Sequence, residues 1–153
     1  MESGEMQVDL SLCKDKDAAS TFGPWLVTAD ELEPRRDGDG FLRLALTAEV
    51  NGEVVSTDLL SNMSWTFEEM AAYASRGGTL LRKGDVLGSS TCGNGGCPAE
   101  SWGRTGDQSP PPREPRDVVT LTMEGTGSVL NRIVEGTAPV PIPHGRERPR
   151  SRP

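Results

Sequence analysis

Residues 88–103 read GSSTCGNGGCPAESWG. Four glycines precede the closing Gly103, a density that helices and strands both tolerate poorly, because each glycine gives up a large backbone entropy on ordering. The run follows a short strand-like segment, Asp85-Val86-Leu87. It therefore reads as a loop leaving the end of a strand. Such a loop lets its backbone approach a ligand closely and can aim N–H groups at an anion. Thr91 adds a hydroxyl, and Glu100 adds a carboxylate just past the flexible part. A plain surface loop is the competing reading.

On either side of this run the chain carries hairpin signals. Leu42, Leu44, Leu46, Ala48 and Val50 alternate with polar residues, the pattern of a half-buried strand. Asn51-Gly52 follows, the dipeptide that a type I′ turn favours because both its central positions need positive φ. Glu53 to Thr57 returns as the partner strand. Val118 to Met123, a turn at Glu124 to Gly127 and Ser128 to Val134 read as a second hairpin. Between them, Thr66 and Glu69 form a capping-box pair ahead of Phe67, Met70, Ala71 and Ala74 at helical spacing, with Arg76-Gly77-Gly78 closing the helix. Phe22 to Val27 is apolar but contains Pro24, which limits it to an edge strand or an extended segment. Thr28 to Leu32 reads as a turn or a single helical turn. Thr105 to Arg116 is a Pro- and Gly-rich linker within the domain.

Bulk properties narrow the classes. With 153 residues the chain is one domain's worth, and its apolar fraction of 34% allows only a modest core. A net charge of −7 argues against a nucleic-acid or anionic-membrane surface. The basic run Arg146 to Arg152 is interleaved with proline and reads as a disordered tail, so the expected division is 1–136 domain and 137–153 tail. Neither a signal peptide nor a membrane-length apolar run is present, which points to a cytoplasmic protein. Three cysteines fit reduced thiols better than a disulfide framework. A zinc site through Cys92 and Cys97 lacks ligands, since Cys13 is distant in sequence and no histidine is convenient.

The wording of several segments is more specific than their composition. Gly84-Asp85-Val86-Leu87-Gly88, Thr91-Cys92-Gly93-Asn94-Gly95-Gly96-Cys97, Ala99-Glu100 and Trp102-Gly103 resemble the fumarylacetoacetate hydrolase family. Phe22-Gly23-Pro24-Trp25-Leu26-Val27-Thr28, Val50-Asn51-Gly52-Glu53 and Ser75-Arg76-Gly77 match upstream, and Asp117-Val118-Val119-Thr120, Glu124-Gly125 and Asn131-Arg132 match downstream, in the family's order. The resemblance covers about Glu5 to Gly136. It implies a mainly β (α+β) fold: a mixed β-sheet roll of the fumarylacetoacetase C-terminal domain type, with one short helix, present in incomplete form.

The resemblance also implies a chemistry. Family members act on 2,4-dioxo acids, small-molecule keto acids of the acylpyruvate type, with Mg2+ or Mn2+ polarising the carbonyl. In hydrolytic members a His–Glu pair activates water to cleave a C–C bond, and a lysine stabilises the developing oxyanion. By position, Lys16 is that lysine, although Asp15 and Asp17 replace the glycines usual around it. Thr91 and the backbone of Gly93, Asn94 and Gly95 hold the substrate, Glu100 orients the histidine, and Ser20 stands near the metal. The metal ligands themselves, a Glu-x-Glu pair and an aspartate, are expected on a segment preceding this chain; Glu31-Leu32-Glu33 has the spacing but the wrong place. His144, the sole histidine, lies in the Pro-rich tail and reads as a surface residue. The expectation is thus a truncated hydrolase, inactive alone and homodimeric when complete. The rivals are an isomerase, hydratase or decarboxylase of the same family, and a non-catalytic remnant with exposed apolar surface but intact hairpins.

Overall fold

The computed structural model describes residues 20–89, 98–109 and 111–138. Two β-hairpins dominate them. The first joins β1 (Ala45–Val50) to β2 (Glu53–Leu59), and the second joins β3 (Val118–Met123) to β4 (Gly127–Arg132). β1 also pairs with β3, giving one four-stranded sheet in the order β2-β1-β3-β4, antiparallel throughout. The mainly β, α+β reading holds, and every strand pair among the described residues is antiparallel where a mixed sheet was expected.

The first hairpin turns at Asn51 (φ 53°) and Gly52 (φ 84°), the positive values a type I′ turn requires. It sets the register Val50↔Glu53 and onward, with an irregularity between Ala48 and Glu49. β1 begins at Ala45, three residues later than the alternation predicts. Leu44 donates its N–H to the Leu42 carbonyl at 3.0 Å, a tight local turn that interrupts the strand, and Leu42 forms only an isolated bridge with Arg36.

The two sheet faces differ in chemistry. Successive side chains alternate, so the registers define rows across the strands. One face carries Thr57, Thr47, Thr122 and Ser128 in a single row, with the last two hydroxyls 2.7 Å apart. The other carries Leu46, Val50, Val119, Leu121, Met123 and Val129. Residues 21–25 run across that apolar face along β4. Thr21 Oγ1 donates to Asn131 Oδ1 at 2.7 Å, a side chain at Gly23 would stand 3.8 Å from Val129 Cγ1, and Trp25 Cδ1 lies 3.5 Å from the Cβ position of Gly127. The segment forms no strand, bends at Pro24, and is tied to the sheet by the Thr21–Asn131 bond.

Among the described residues, three short α-helices accompany the sheet: α1 (Ala29–Leu32), α2 (Phe67–Ala74) and α3 (Pro98–Thr105). α2 is the capping-box helix: Glu69 N–H donates to Thr66 Oγ1 at 3.2 Å, and Thr66 N–H donates to Glu69 Oε2 at 2.8 Å. α1 runs on into a 3-10 turn, Glu33–Arg35. Arg36 then ties this connection to α2: its Nε meets Glu33 at 2.9 Å, its Nη1 meets Glu68 at 3.1 Å, and Nη1 also donates to the Gly40 carbonyl at 2.7 Å.

The core is small. Leu44 (1% exposed) and Leu60 (4%) are the buried hydrophobics among the described residues. They sit where β1 begins and β2 ends, linked by the Leu60 N–H to Leu44 carbonyl bond of 2.9 Å. On the apolar sheet face Leu121 is exposed (48%), while Leu46, Val50, Val119, Met123 and Val129 are half-buried. No described helix is long and apolar enough to cross a membrane.

Candidate functional site

The glycine-rich run does not stay irregular to its end. Its second part is α3, which opens on Pro98, a residue suited to the first helical position because the N–H it lacks would be unbonded there. Gly103 lies inside the helix, where glycine is less favourable than alanine by about 1 kcal/mol. The reading of 88–103 as one loop is therefore corrected for residues 98–103. Asp85-Val86-Leu87 is corrected as well: it has no strand partner, and Val86 and Leu87 are exposed. Instead, a tight turn precedes it, in which Arg82 N–H donates to Asp85 Oδ2 at 2.8 Å and Asp85 N–H donates to the Arg82 carbonyl at 3.1 Å.

α3 gives Glu100 its setting. The residue is half-buried in the first turn, where the partial positive charge of the helix N-terminus favours a carboxylate. Trp102, half-buried, closes the other end by accepting the Gly106 N–H at 2.8 Å. Ser20 is exposed, in the extended chain one residue before the Thr21–Asn131 hydrogen bond. Lys16, Thr91, Gly93, Asn94 and Gly95 lie outside the described residues, as do Cys13, Cys92, Cys97 and His144.

The described residues do not fit a divalent cation. No group of three or more His, Cys, Asp or Glu side chains converges among them. Of the Glu-x-Glu pair, Glu33 is engaged by Arg36 at 2.9 Å.

Sequence reasoning missed one polar junction beside the sheet. Arg35 Nη2 meets Glu124 Oε1 at 2.7 Å, the other Glu124 oxygen accepts the Ala45 N–H at 3.1 Å, and the Glu124 N–H donates to the Ala45 carbonyl at 2.9 Å. These contacts fix the β3–β4 turn to the start of β1. Here Gly125, at φ 78°, passes so close to α1 that a side chain would stand 3.3 Å from Leu32 Cδ2. A cleft of about 530 Å3 opens at the junction, lined by Leu26, Thr28, Leu32, Arg35, Leu44 and Glu124. The partners are too far apart in sequence for any local signal; Glu124-Gly125 stood out only as a family motif. Separately, Trp65, Met70, Tyr73 and Arg76 line an apolar groove of about 680 Å3 along α2.

Comparison with known proteins adds what the geometry leaves open. The family model described as Fumarylacetoacetate (FAA) hydrolase C-terminal matches residues 1–134. Over 81 residues the chain is 40% identical to the maleylpyruvate hydrolase of Aquipseudomonas alcaligenes. That stretch is 53% of this chain and 26% of the relative, so the chain spans about a quarter of the curated relative's length. No solved structure matches significantly.

Proposed function

Since this chain belongs to the fumarylacetoacetate hydrolase family, by a match to its C-terminal region, we propose that it supplies the substrate-side part of a site that hydrolyses a C–C bond in a 2,4-dioxo acid. The observation that carries the reading is the match over residues 1–134, and the 40% identity to a maleylpyruvate hydrolase points the same way, toward an acylpyruvate-like substrate. In this reading Thr91 and the N–H groups of Gly93, Asn94 and Gly95 hold the substrate's carboxylate. Lys16 donates to the oxyanion that forms as water adds to the carbonyl, a charge worth stabilising because it develops only in the transition state. Glu100 is the carboxylate that orients the family's water-activating histidine, a residue that His144 in the tail does not supply. A divalent cation supplies carbonyl polarisation in the family's reaction. The described residues do not fit one. The working protein is a cytoplasmic homodimer.

The test is calorimetric titration of the purified chain with oxaloacetate as a dioxo-acid analogue. Binding is expected, and Thr91→Val is expected to weaken it by about tenfold to a hundredfold, since a hydrogen bond to a charged group contributes about 1.5–3 kcal/mol. Absence of binding, or equal binding by the variant, overturns the assignment. Titration with Mg2+ or Mn2+ is the companion measurement, and the reading expects no saturable site for either.

A further inference from the structure

The turn of the first hairpin is pinned by an unusual set of bonds. The Asn51 N–H donates to the Val118 carbonyl at 2.8 Å, the Val118 N–H donates to Asn51 Oδ1 at 2.9 Å, and Asn51 Nδ2 donates to Asp117 Oδ1 at 2.9 Å. Every polar atom of the carboxamide is thus engaged with the start of β3. Asp117 is itself held in place, because its second oxygen accepts the Glu114 N–H at 2.9 Å. The residue after Asn51 is Gly52, whose backbone nitrogen no side chain shields.

We propose that Asn51-Gly52 is a deamidation site, and that its bonds to Asp117 and Val118 hold the reaction off while the sheet is closed. The reaction requires no partner beyond water. The Gly52 nitrogen attacks Cγ of Asn51, a C–N bond forms, the bond from Cγ to Nδ2 breaks, and ammonia leaves carrying the proton that Gly52 gives up. Water then opens the resulting five-membered imide at one of its two carbonyls, giving aspartate or β-linked isoaspartate at position 51. Ring closure fixes the backbone torsion between Cα and C of Asn51, so the tight turn must open. It also requires the carboxamide to swing from β3 over its own C-terminal peptide, which breaks its bonds to Asp117 and Val118.

The product cannot restore what was lost. A carboxylate at position 51 has no hydrogen to give Asp117 and places a second negative charge beside it. Isoaspartate adds one atom to the backbone at the turn that sets strand register. The reaction is therefore a one-way step that removes the bond from Asn51 to Asp117 and weakens the tie between the first hairpin's turn and the start of β3.

The test is peptide mapping by mass spectrometry, reading aspartate and isoaspartate at position 51 during incubation of the full chain in mildly alkaline buffer. A synthetic peptide of residues 46–57 serves as the unrestrained reference. The wild-type chain is expected to react about thirtyfold more slowly than the peptide, the factor that two net hydrogen bonds support. Asp117→Ala should move the rate toward that of the peptide, whereas Asp117→Asn, which keeps an acceptor oxygen, should not. A wild-type rate equal to the peptide's overturns the proposal. Should Asp117→Ala fail to fold, a urea series on the wild type decides. The proposal requires the rate to rise in step with hydrogen exchange at the Val118 N–H; a rate indifferent to that opening overturns it.

Discussion

Asp117 ties the turn of the first hairpin to the start of β3 through Asn51. Its carboxyl is held below the ordinary value of 3.8, first by the Asn51 amide and then by the Glu114 N–H. A carboxyl whose pKa is lower in the folded state contributes stability above its unfolded value, and that contribution is lost as pH falls through the folded value. Acid should therefore loosen the junction of the hairpins from about pH 4 downward. Asp117→Asn carries no titrating proton, so its midpoint in urea should change less between neutral pH and pH ~3 than the wild type's. An equally steep acid dependence in the variant would place the effect elsewhere, Asp30 being the other carboxyl held low among the described residues, chiefly by Thr28.

Local elements were legible where their signal is carried by neighbouring residues. Asn51-Gly52 announced its turn, and the pair Thr66 and Glu69 announced α2, because both are bonds between groups one turn or less apart. Thr66→Ala removes the acceptor for the Glu69 N–H and should destabilise the chain by about 1 kcal/mol. Circular dichroism and thermal melting check this, with Thr66→Ser expected to retain most of the stability. α3 was missed because Gly103 and the glycines before Cys97 outweighed Pro98 as a start signal, and a Glu100 in the first turn helps a helix only once it exists. Asp85-Val86-Leu87 failed in the opposite sense. Its residues suit a strand, but a strand also needs a neighbour, and no local pattern reports one. The β1–β3 pairing and the Arg35–Glu124 contact were illegible for the same reason. Of the site, only Glu100 and Ser20 gain a described setting, and neither role follows from residue type alone.

Across the whole sheet, one face bears a row of hydroxyls and the other a field of aliphatic side chains that, among the described residues, 21–25 cover along β4, leaving Leu121 exposed. An apolar area of that kind marks a surface made to be covered. The native chain should accordingly bind 8-anilinonaphthalene sulfonate with a gain in fluorescence. Leu121→Lys should reduce that gain while shifting stability by no more than about 0.5 kcal/mol, as exposed positions usually do. Unchanged dye fluorescence in the variant would locate the apolar surface elsewhere, the α2 groove first.

The strand order has a kinetic consequence. Each hairpin closes over a handful of residues, but the central pair brings Val50 to Val119 across everything between them, including the glycine-rich run. The hairpins are thus the early events, and their docking is the late one, limited by the entropy of closing that long loop. That entropy grows only logarithmically, by about 0.6 kcal/mol for a doubling of length. The segment that carries the substrate-binding residues in the proposed site is therefore the part of the chain freest to lengthen, shorten or change sequence while the same sheet still assembles beneath it.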